Sequence, residues 1–395
     1  MIFVGLYGFV AIVCLLSRNG KNRRSRIIAC ILIFLAMQLL IGLRHIQYGG
    51  VDTRIYARDF MRIVNQNYSF FDIFNVFYKD FGFYLFAKIF SLFSSDMNAW
   101  LFVCALPYTI GVTWLIYKYS NNMFLSFIMF LSFGYYLYNF QLVRHVFALG
   151  LIVLAYKYLE EEHYKKFFAT VLVASFCHTI AILFLGAYFV RKGRVTVKQV
   201  IWILVGGFAV LVLSQQSVLA AVFSLVPFLS EGRFSQYLFR GGNFSSEFII
   251  QLLFVVISWI YLYGKKDSSV MIVQNGQNES KKIKKKKFEL NFSNSVFIPA
   301  RQNNTLLFNM SVIATLFYLM TIAIGESYRM AQYFSLFTII LVPKAISMEK
   351  NTYVRLIITL AIVAFGIWHF FGGLFVDGSV YNPYVFFWEI PQNLY

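Results

Sequence analysis

Charged residues are scarce in this chain, and their scarcity excludes an ordinary soluble globular protein. Only 13% of the 395 residues are charged, and 59% are hydrophobic. Soluble domains carry about 25% charged residues, so the composition indicates an integral membrane protein. Apolar runs of roughly 17–25 residues, the length that crosses a bilayer core, recur along the chain. Clear examples are Ile27–Leu43, Trp100–Tyr117, Leu142–Leu159, Thr305–Ile324 and Tyr353–Phe371.

Several chemical signatures are also missing. The four cysteines, Cys14, Cys30, Cys104 and Cys177, all lie in apolar runs without a C-x-x-C spacing, which argues against a disulfide or zinc framework. Walker A, H-E-x-x-H and metal-spaced carboxylate patterns are absent, so we expect no metal and no cofactor. The 17 acidic residues lie outside the apolar runs or at their margins. Nothing therefore resembles the buried acids of a proton-driven transporter.

The net charge of +18 is concentrated in a few loops. Eight lysines lie in Lys265–Lys287, between two apolar runs. This is the charge pattern of cytoplasmic loops, so we expect contact with membrane lipids and no nucleic-acid partner. The same rule predicts that Arg18–Arg26, Arg191–Lys198 and the basic loop 265–304, which has the composition of a disordered segment, are cytoplasmic.

The remaining loops should then lie on the outer side, namely 44–80, 220–247 and Gly325–Arg329. The chain as a whole, residues 1–395, is predicted to be a single polytopic domain. Its fold class is an all-α membrane protein of about 10–12 transmembrane helices.

Two topologies fit the segment between residues 81 and 191. In the first, Phe81–Ser94 and Phe167–Val190 each cross the membrane, which places Arg144 inside and His178 at mid-membrane. In the second, Phe81–Ser94 enters the outer leaflet without crossing it. Phe167–Val190 then breaks near His178 into a hairpin with its tip near the outer side, and Arg144 and His178 reach the outer face. Both topologies keep the basic loops on the cytoplasmic side, and we favour the second.

The outer stretch 44–80 has helical periodicity from Thr53 onward. Its apolar and basic stripes are Tyr56, Phe60 and Ile63, and Arg54, Arg58 and Arg62. This pattern predicts an amphipathic helix that lies in the membrane interface. Asp52 precedes the stripes and has two interpretations, as the N-cap of this helix or as a catalytic acid.

Polar residues at predicted outer span ends form a candidate anion site: Arg44, Asp52, Arg144, His178, Glu326 and Arg329. Arginine's planar fork binds phosphate oxygens bidentately. Simpler interpretations remain open for the same residues. Arg144 can extend to the interface as an anchor, Glu326 and Arg329 can pair across one helical turn, and His178 can bond a backbone carbonyl at a helix break. Arg233 and Arg240 are weaker candidates, which a solvated loop also explains.

The order of short motifs around these residues is typical of one family. Gly42-x-Arg44 is followed by Gly50-Val51-Asp52-Thr53-x-x-Tyr56, by Arg144 with Ala148 four residues on, by Phe176-x-His178 and by Tyr328-Arg329. The chain resembles the EpsG family of exopolysaccharide proteins and, more loosely, the Wzy-type polymerases of O-antigen and capsule. The resemblance runs from about residue 40 to Asn382-Pro383-Tyr384.

The resemblance implies a GT-C-like, metal-independent glycosyltransferase in the bacterial plasma membrane, with its active site facing outside. It would join polyprenyl-diphosphate-linked oligosaccharide units, together with a chain-length regulator and a flippase of the same pathway. The implied catalytic residues are Asp52, Arg144, His178 and Arg329, and the implied substrate-binding residues are Arg44, Tyr56, Arg233, Arg240 and Glu326. Asp52, or His178 as the less favoured choice, would accept the proton of the attacking hydroxyl.

Two other functions remain open. One is a GT-C transferase that adds single sugars from a polyprenyl phosphate and would use the same arginines. The other is a lipid-glycan flippase or exporter, for which weak two-fold internal symmetry is expected. The sequence shows no such symmetry.

Overall fold

The computed structural model describes residues 2–46, 50–77, 79–193, 245–264, 296–300, 302–322, 324–375 and 381–389. These residues form helices joined by turns, with two isolated β-bridges and no strand among them, which confirms the all-α class. Their sixteen α-helices are α1 (Ile2–Leu16), α2 (Arg23–Gly42), α3 (Gly50–Asn65), α4 (Phe70–Val76), α5 (Phe81–Ser91), α6 (Met97–Tyr119), α7 (Met123–Ser132), α8 (Tyr138–Gln141), α9 (Val143–Glu160), α10 (Tyr164–Cys177), α11 (Gly186–Phe189), α12 (Ser246–Trp259), α13 (Asn304–Leu319), α14 (Ser327–Ser335), α15 (Thr338–Ser347) and α16 (Thr352–Leu374). Short 3₁₀ or π turns are Arg18–Gly20, Thr179–Leu185, Ile260–Gly264 and Met320–Ile322.

Five of the helices in the described ranges are long and apolar enough to cross a membrane, so the chain is a multi-pass membrane protein. They are α2, α6, α12 with its π turn, α13 with its 3₁₀ turn, and α16. The pair α14 and α15, bent by 44°, forms a sixth candidate. The sequence prediction of about ten to twelve spans also counted segments that fold as shorter apolar helices, such as α1. Residues 194–244 lie outside the described ranges.

The segment with two predicted topologies folds as a hairpin. Helix α5 has 11 residues, about 16 Å at 1.5 Å per residue, which is too short to cross a bilayer core. Helix α10 ends at Cys177, and His178 is extended (φ −152°, ψ 110°) before the 3₁₀ turn begins. The ring of Tyr164, which starts α10, lies 5.3 Å from that of Tyr188 in α11. The two arms therefore return to the same end of the bundle with His178 at the tip, as in the second topology.

Described residues in or beside three loops that the sequence marks as basic meet at one end of the bundle. The Arg26 guanidinium donates to the carbonyls of Ile116, Tyr117 and Ser120 at 2.7–2.8 Å. The Lys21 carbonyl accepts from the Phe297 amide at 2.6 Å. The Asn303 side chain donates to the Arg191 carbonyl at 2.9 Å. The positions of these groups agree with the grouping that the charge pattern predicts.

Helix α3 has the predicted amphipathic character. Tyr56, Phe60 and Ile63 are buried, whereas the three arginines of the basic stripe are exposed. The Phe60 ring stacks on Trp100 of α6 with centroids 5.1 Å apart and planes at 13°. This contact attaches α3 to one of the long spans and sets the position of the residues in its first turns.

The core of the bundle depends on a close approach of α6 and α9. A Cβ atom added at Gly150 of α9 would lie 2.4 Å from the carbonyl carbon of Pro107 in α6. Only a residue without a side chain fits there, and small residues commonly permit such helix contacts in membranes. Because Arg144 lies near the start of α9, this packing also sets the height of Arg144 relative to α6.

Candidate functional site

Helix α3 presents two polar side chains to the bundle from successive turns. Asp52 is the acidic residue of its first turn, and the side chain is 33% exposed. Tyr56 follows four residues later and is buried. Residues four apart lie on the same face of a helix, with their Cβ atoms about 5–6 Å apart. Each of these two side chains contacts an arginine from a different part of the chain.

Arg144, the second residue of α9, contacts Tyr56 and an acid. Its Nε donates to the Tyr56 hydroxyl at 3.3 Å, and its guanidinium lies 5.1 Å from the Tyr56 ring centroid. Its Nη1 forms an ion pair with Asp80 at 3.0 Å. Burial raises the pKa of the Tyr56 phenol, so its hydroxyl stays protonated at neutral pH. The Arg144 side chain is 25% exposed, which leaves part of the side chain accessible.

Asp80 ties three elements together. It occupies the N-cap position of α5 in the left-handed region (φ 58°) and makes no capping hydrogen bond with its side chain. Its Oδ1 instead accepts from the amide and the hydroxyl of Thr179, at 2.7 and 2.8 Å. Its Oδ2 pairs with Arg144. The carboxylate thus holds the start of the 3₁₀ turn after His178 against α5 and α9, which explains why the hairpin turns there.

Arg329, in the first turn of α14, contacts Asp52 of α3. Its Nη2 lies 3.6 Å from Asp52, and its Nε lies 2.9 Å from Glu326 and 3.1 Å from the Tyr328 hydroxyl. The ion pair between Glu326 and Arg329 has the spacing that the sequence suggested. The Arg329 side chain is 26% exposed.

The two arginines therefore belong to one cluster, here called the arginine cluster: Asp52, Tyr56, Asp80, Arg144, Glu326 and Arg329. Arg144 and Arg329 contact side chains one turn apart on α3, and both interact electrostatically with Tyr56 and with His178. Two guanidiniums and three carboxylates give a formal charge of 2 − 3 = −1. The arginines are thus held in place by carboxylates, which an anionic ligand has to displace.

His178 lies behind the arginine cluster rather than on its surface. Its side chain is 7% exposed, and its ring centroid lies 5.1 Å from that of His145 and 6.3 Å from that of Tyr333. Its Nδ1 has no hydrogen-bond partner among the residues with described positions. The position favours a structural or relay role over direct contact with a substrate.

Arg44 is placed outside the arginine cluster. It is 3% exposed and donates to the carbonyls of Ile41, Asn139 and Phe140, with Phe140's ring 5.2 Å below the guanidinium. Burial lowers the pKa of the Arg44 guanidinium to about 10, so the group is still charged at neutral pH. Arg44 thus links the end of α2 to α8, and its predicted contact with substrate stays a prediction.

Two candidate residues, Arg233 and Arg240, lie outside the described residues, as do most of loop 220–247 and most of loop 265–304. In the ranges that the structure describes, no three His, Cys, Asp or Glu side chains come close enough together to hold a metal ion.

The comparison with protein families bears on the whole of this arrangement. The EpsG family model matches residues 27–386, which include the arginine cluster, Arg44 and His178. The chain belongs to the EpsG family. It is accordingly a membrane protein linked to exopolysaccharide synthesis. No curated protein and no solved structure matches it.

Three residues in or beside the arginine cluster were not singled out from the sequence, namely Asp80, His145 and Tyr333. Asp80 carried one usable signal, because it is an acid placed directly before the apolar run Phe81–Ser94, where helix N-caps are found. The other two lie within apolar or aromatic surroundings, and their roles depend on which helices pack together.

Proposed function

We propose that this EpsG family protein is a polymerase that joins oligosaccharide repeat units carried on polyprenyl diphosphate into a surface polysaccharide. In this proposal the reaction takes place on the outer face of the bacterial plasma membrane. The observation that carries the proposal is the convergence of Arg144 and Arg329 on one face of α3, beside Asp52. The two guanidiniums come from helices far apart in the sequence, and each is about one quarter exposed.

A diphosphate is the ligand that best suits this pair of cations. Two guanidiniums can each bind phosphate oxygens bidentately, and the charge on a diphosphate leaving group increases as its bond to the sugar breaks. Fixed cations at that point supply the electrostatic stabilisation on which such reactions depend. The ligand competes with Asp52 and Glu326, whose side chains are 33% and 39% exposed and can turn towards water.

The proposed step is a balanced glycosyl transfer. A hydroxyl oxygen at the non-reducing end of one lipid-linked unit attacks the anomeric carbon of the sugar that links the growing chain to its diphosphate. A new glycosidic C–O bond forms, and the old C–O bond to phosphate breaks. Polyprenyl diphosphate leaves with the electron pair and is held by Arg144 and Arg329. Asp52, beside Arg329, accepts the hydroxyl proton and later returns it to solvent.

The test is polymer formation by the purified protein in lipid nanodiscs, given the polyprenyl-diphosphate-linked repeat unit of its own cells. We expect a ladder spaced by whole repeat units, unchanged by a metal chelator and lost in Arg144→Ala. The matched control is Arg58→Ala, which removes an arginine from α3 whose side chain is 76% exposed, and should keep the ladder. Elution profile and melting midpoint report on folding of both variants.

Other outcomes would overturn the proposal in distinct ways. Growth by single sugars from a polyprenyl phosphate would indicate a monosaccharide transferase. Movement of the lipid-linked unit across a vesicle membrane, without a ladder, would indicate a flippase or exporter. A ladder that persists in Arg144→Ala would show that Arg144 serves only as an anchor at the membrane interface.

A further inference from the structure

A cavity of about 430 Å³ lies next to the arginine cluster. Its walls come from α8, from the start of α12 and from the segment between α13 and α14. The side chains that line it include Tyr138, Ser245, Ser246, Glu247, Thr321 and Tyr328. The volume is in the range of small-molecule sites, about 300–1,000 Å³, so the cavity is large enough for a ligand rather than for water alone.

The chemistry of the cavity differs from that of the arginine cluster. Among the described residues that line the cavity, the polar side-chain groups are hydroxyls and one carboxylate, and none is basic. The Glu247 carboxylate also accepts from the hydroxyls of Ser245 and Ser246. A negative, hydroxyl-rich wall disfavours phosphate and suits a neutral ligand that has many hydroxyl groups.

Two tyrosine rings add an apolar face to the same cavity. The rings of Tyr138 and Tyr328 are 6.2 Å apart, with planes at 32°. Gly134 permits the position of Tyr138, because a Cβ at Gly134 would lie 3.2 Å from the Tyr138 hydroxyl. Gly134 also has a φ of +83°, which disfavours other residues there. Aromatic rings with polar tips suit ligands that have both apolar faces and hydroxyls, as sugar rings do.

Tyr328 connects the cavity to the cations. Its side chain lines the cavity, while its hydroxyl accepts a hydrogen bond from Arg329 Nε at 3.1 Å. A ligand in the cavity therefore lies one side chain away from the guanidinium that would hold a diphosphate. The two neighbouring chemistries match the two parts of a lipid-linked oligosaccharide, its charged diphosphate and its neutral sugars.

We propose that this cavity is a saccharide subsite, in which Glu247 accepts hydrogen bonds from sugar hydroxyls and Tyr138 and Tyr328 contact the ring faces. The proposal rests on the proposed polymerase function and deepens it, since it assigns the sugars of the repeat unit to Tyr328 together with two residues, Tyr138 and Glu247, that no motif identified. Glu247 is in the first turn of α12, so the backbone that carries its side chain is held in place by a helix.

The probe for this subsite is the free oligosaccharide of one repeat unit, without lipid or phosphate. Its binding to the full-length protein in nanodiscs is measured by ligand-observed NMR and calorimetry. Glu247→Gln removes a charged acceptor and should weaken binding about tenfold. Ser246→Trp should fill the cavity and abolish binding.

Two matched controls should bind the oligosaccharide as the wild type does. Asp72→Asn removes an exposed first-turn carboxylate from α4. Ile249→Trp adds the same indole to α12 at a side chain that is 55% exposed. Melting midpoints of all four variants separate loss of binding from loss of folding.

The outcomes distinguish the subsite from the polymerase. If the wild type binds no free oligosaccharide at millimolar concentration, or if both cavity variants bind it normally, the subsite is wrong, and a wild-type ladder would still support the polymerase. If binding depends on Glu247 but the wild type makes no ladder from lipid-linked units, the subsite stands and the polymerase proposal fails.

Discussion

Removing Arg144 should leave Asp80 as an uncompensated carboxylate, and this can be measured. The pair is 3.0 Å apart, and the two side chains are 25% and 12% exposed. Breaking a fully buried pair costs about 3–5 kcal/mol, and an exposed pair is worth about 0–1 kcal/mol. For this intermediate exposure we expect Arg144→Ala to lower the free energy of unfolding by about 2–3 kcal/mol.

A second change should restore much of that stability. Asp80→Asn removes the charge but keeps a carbonyl oxygen that can accept from the Thr179 amide and hydroxyl. In the Arg144→Ala background, Asp80→Asn should therefore recover about 1–2 kcal/mol of stability, whereas in the wild-type background it should reduce stability. Polymer formation should stay absent in the double variant, because the guanidinium that we propose to bind the diphosphate is still missing.

The assay is a four-protein cycle of wild type, both single variants and the double variant. Unfolding in nanodiscs and the polymer ladder are measured on the same preparations. Additive stability changes, within about 0.5 kcal/mol, would refute the coupling of Arg144 to Asp80. A ladder that returns with stability in the double variant would instead refute a direct catalytic role for Arg144.

Three further predictions concern other parts of the protein. Gly150→Ala should destabilise the protein by about 1–3 kcal/mol, because the added Cβ meets the backbone of Pro107. In the control Gly372→Ala the added Cβ meets nothing within 4 Å, so this variant should be neutral or stabilising. Melting midpoints that change equally in the two variants would contradict the prediction. Arg44→Lys should cost about 1–3 kcal/mol of stability and leave the ladder per folded molecule unchanged, so a lost ladder at unchanged stability would make Arg44 a substrate contact. Glu326→Gln should tighten binding of polyprenyl diphosphate about two- to fivefold by removing a competing carboxylate, and weaker binding measured by calorimetry would argue against that competition.

Much of the candidate site was accessible from the sequence wherever the pattern is local. The stripes of α3 follow from the helical period alone, so the burial of Tyr56 and the exposure of Arg58 were predictable. The ion pair of Glu326 with Arg329 followed from a spacing of three. The helix break at His178 was one of two alternatives that the sequence left open. An ionisable residue in an apolar run is compatible with a break in the helix or with a continuous span in which the residue is buried.

The partners of the arginines were not accessible in the same way. Asp80, the partner of Arg144, also binds Thr179, which is 99 residues away. No periodicity in the sequence relates these positions. The contact of the Arg44 guanidinium with the Ile41 carbonyl was not predictable either, because a sequence does not indicate the direction of a side chain. Glu247 was an unremarked loop acid until its helix was placed beside Tyr328.

The amino-acid sequence by itself determined the all-α membrane class, the amphipathic helix and the meeting of the described flanks of the basic loops at one end. These properties depend on hydropathy and charge summed over local segments, which bilayer thickness and the helical repeat convert directly into structure. Only the tertiary structure decided which carboxylate faces which arginine, and that a hydroxyl-rich cavity lies beside the arginine cluster. Such contacts arise where distant segments pack, and a displacement of one turn, about 5.4 Å, would have paired different side chains.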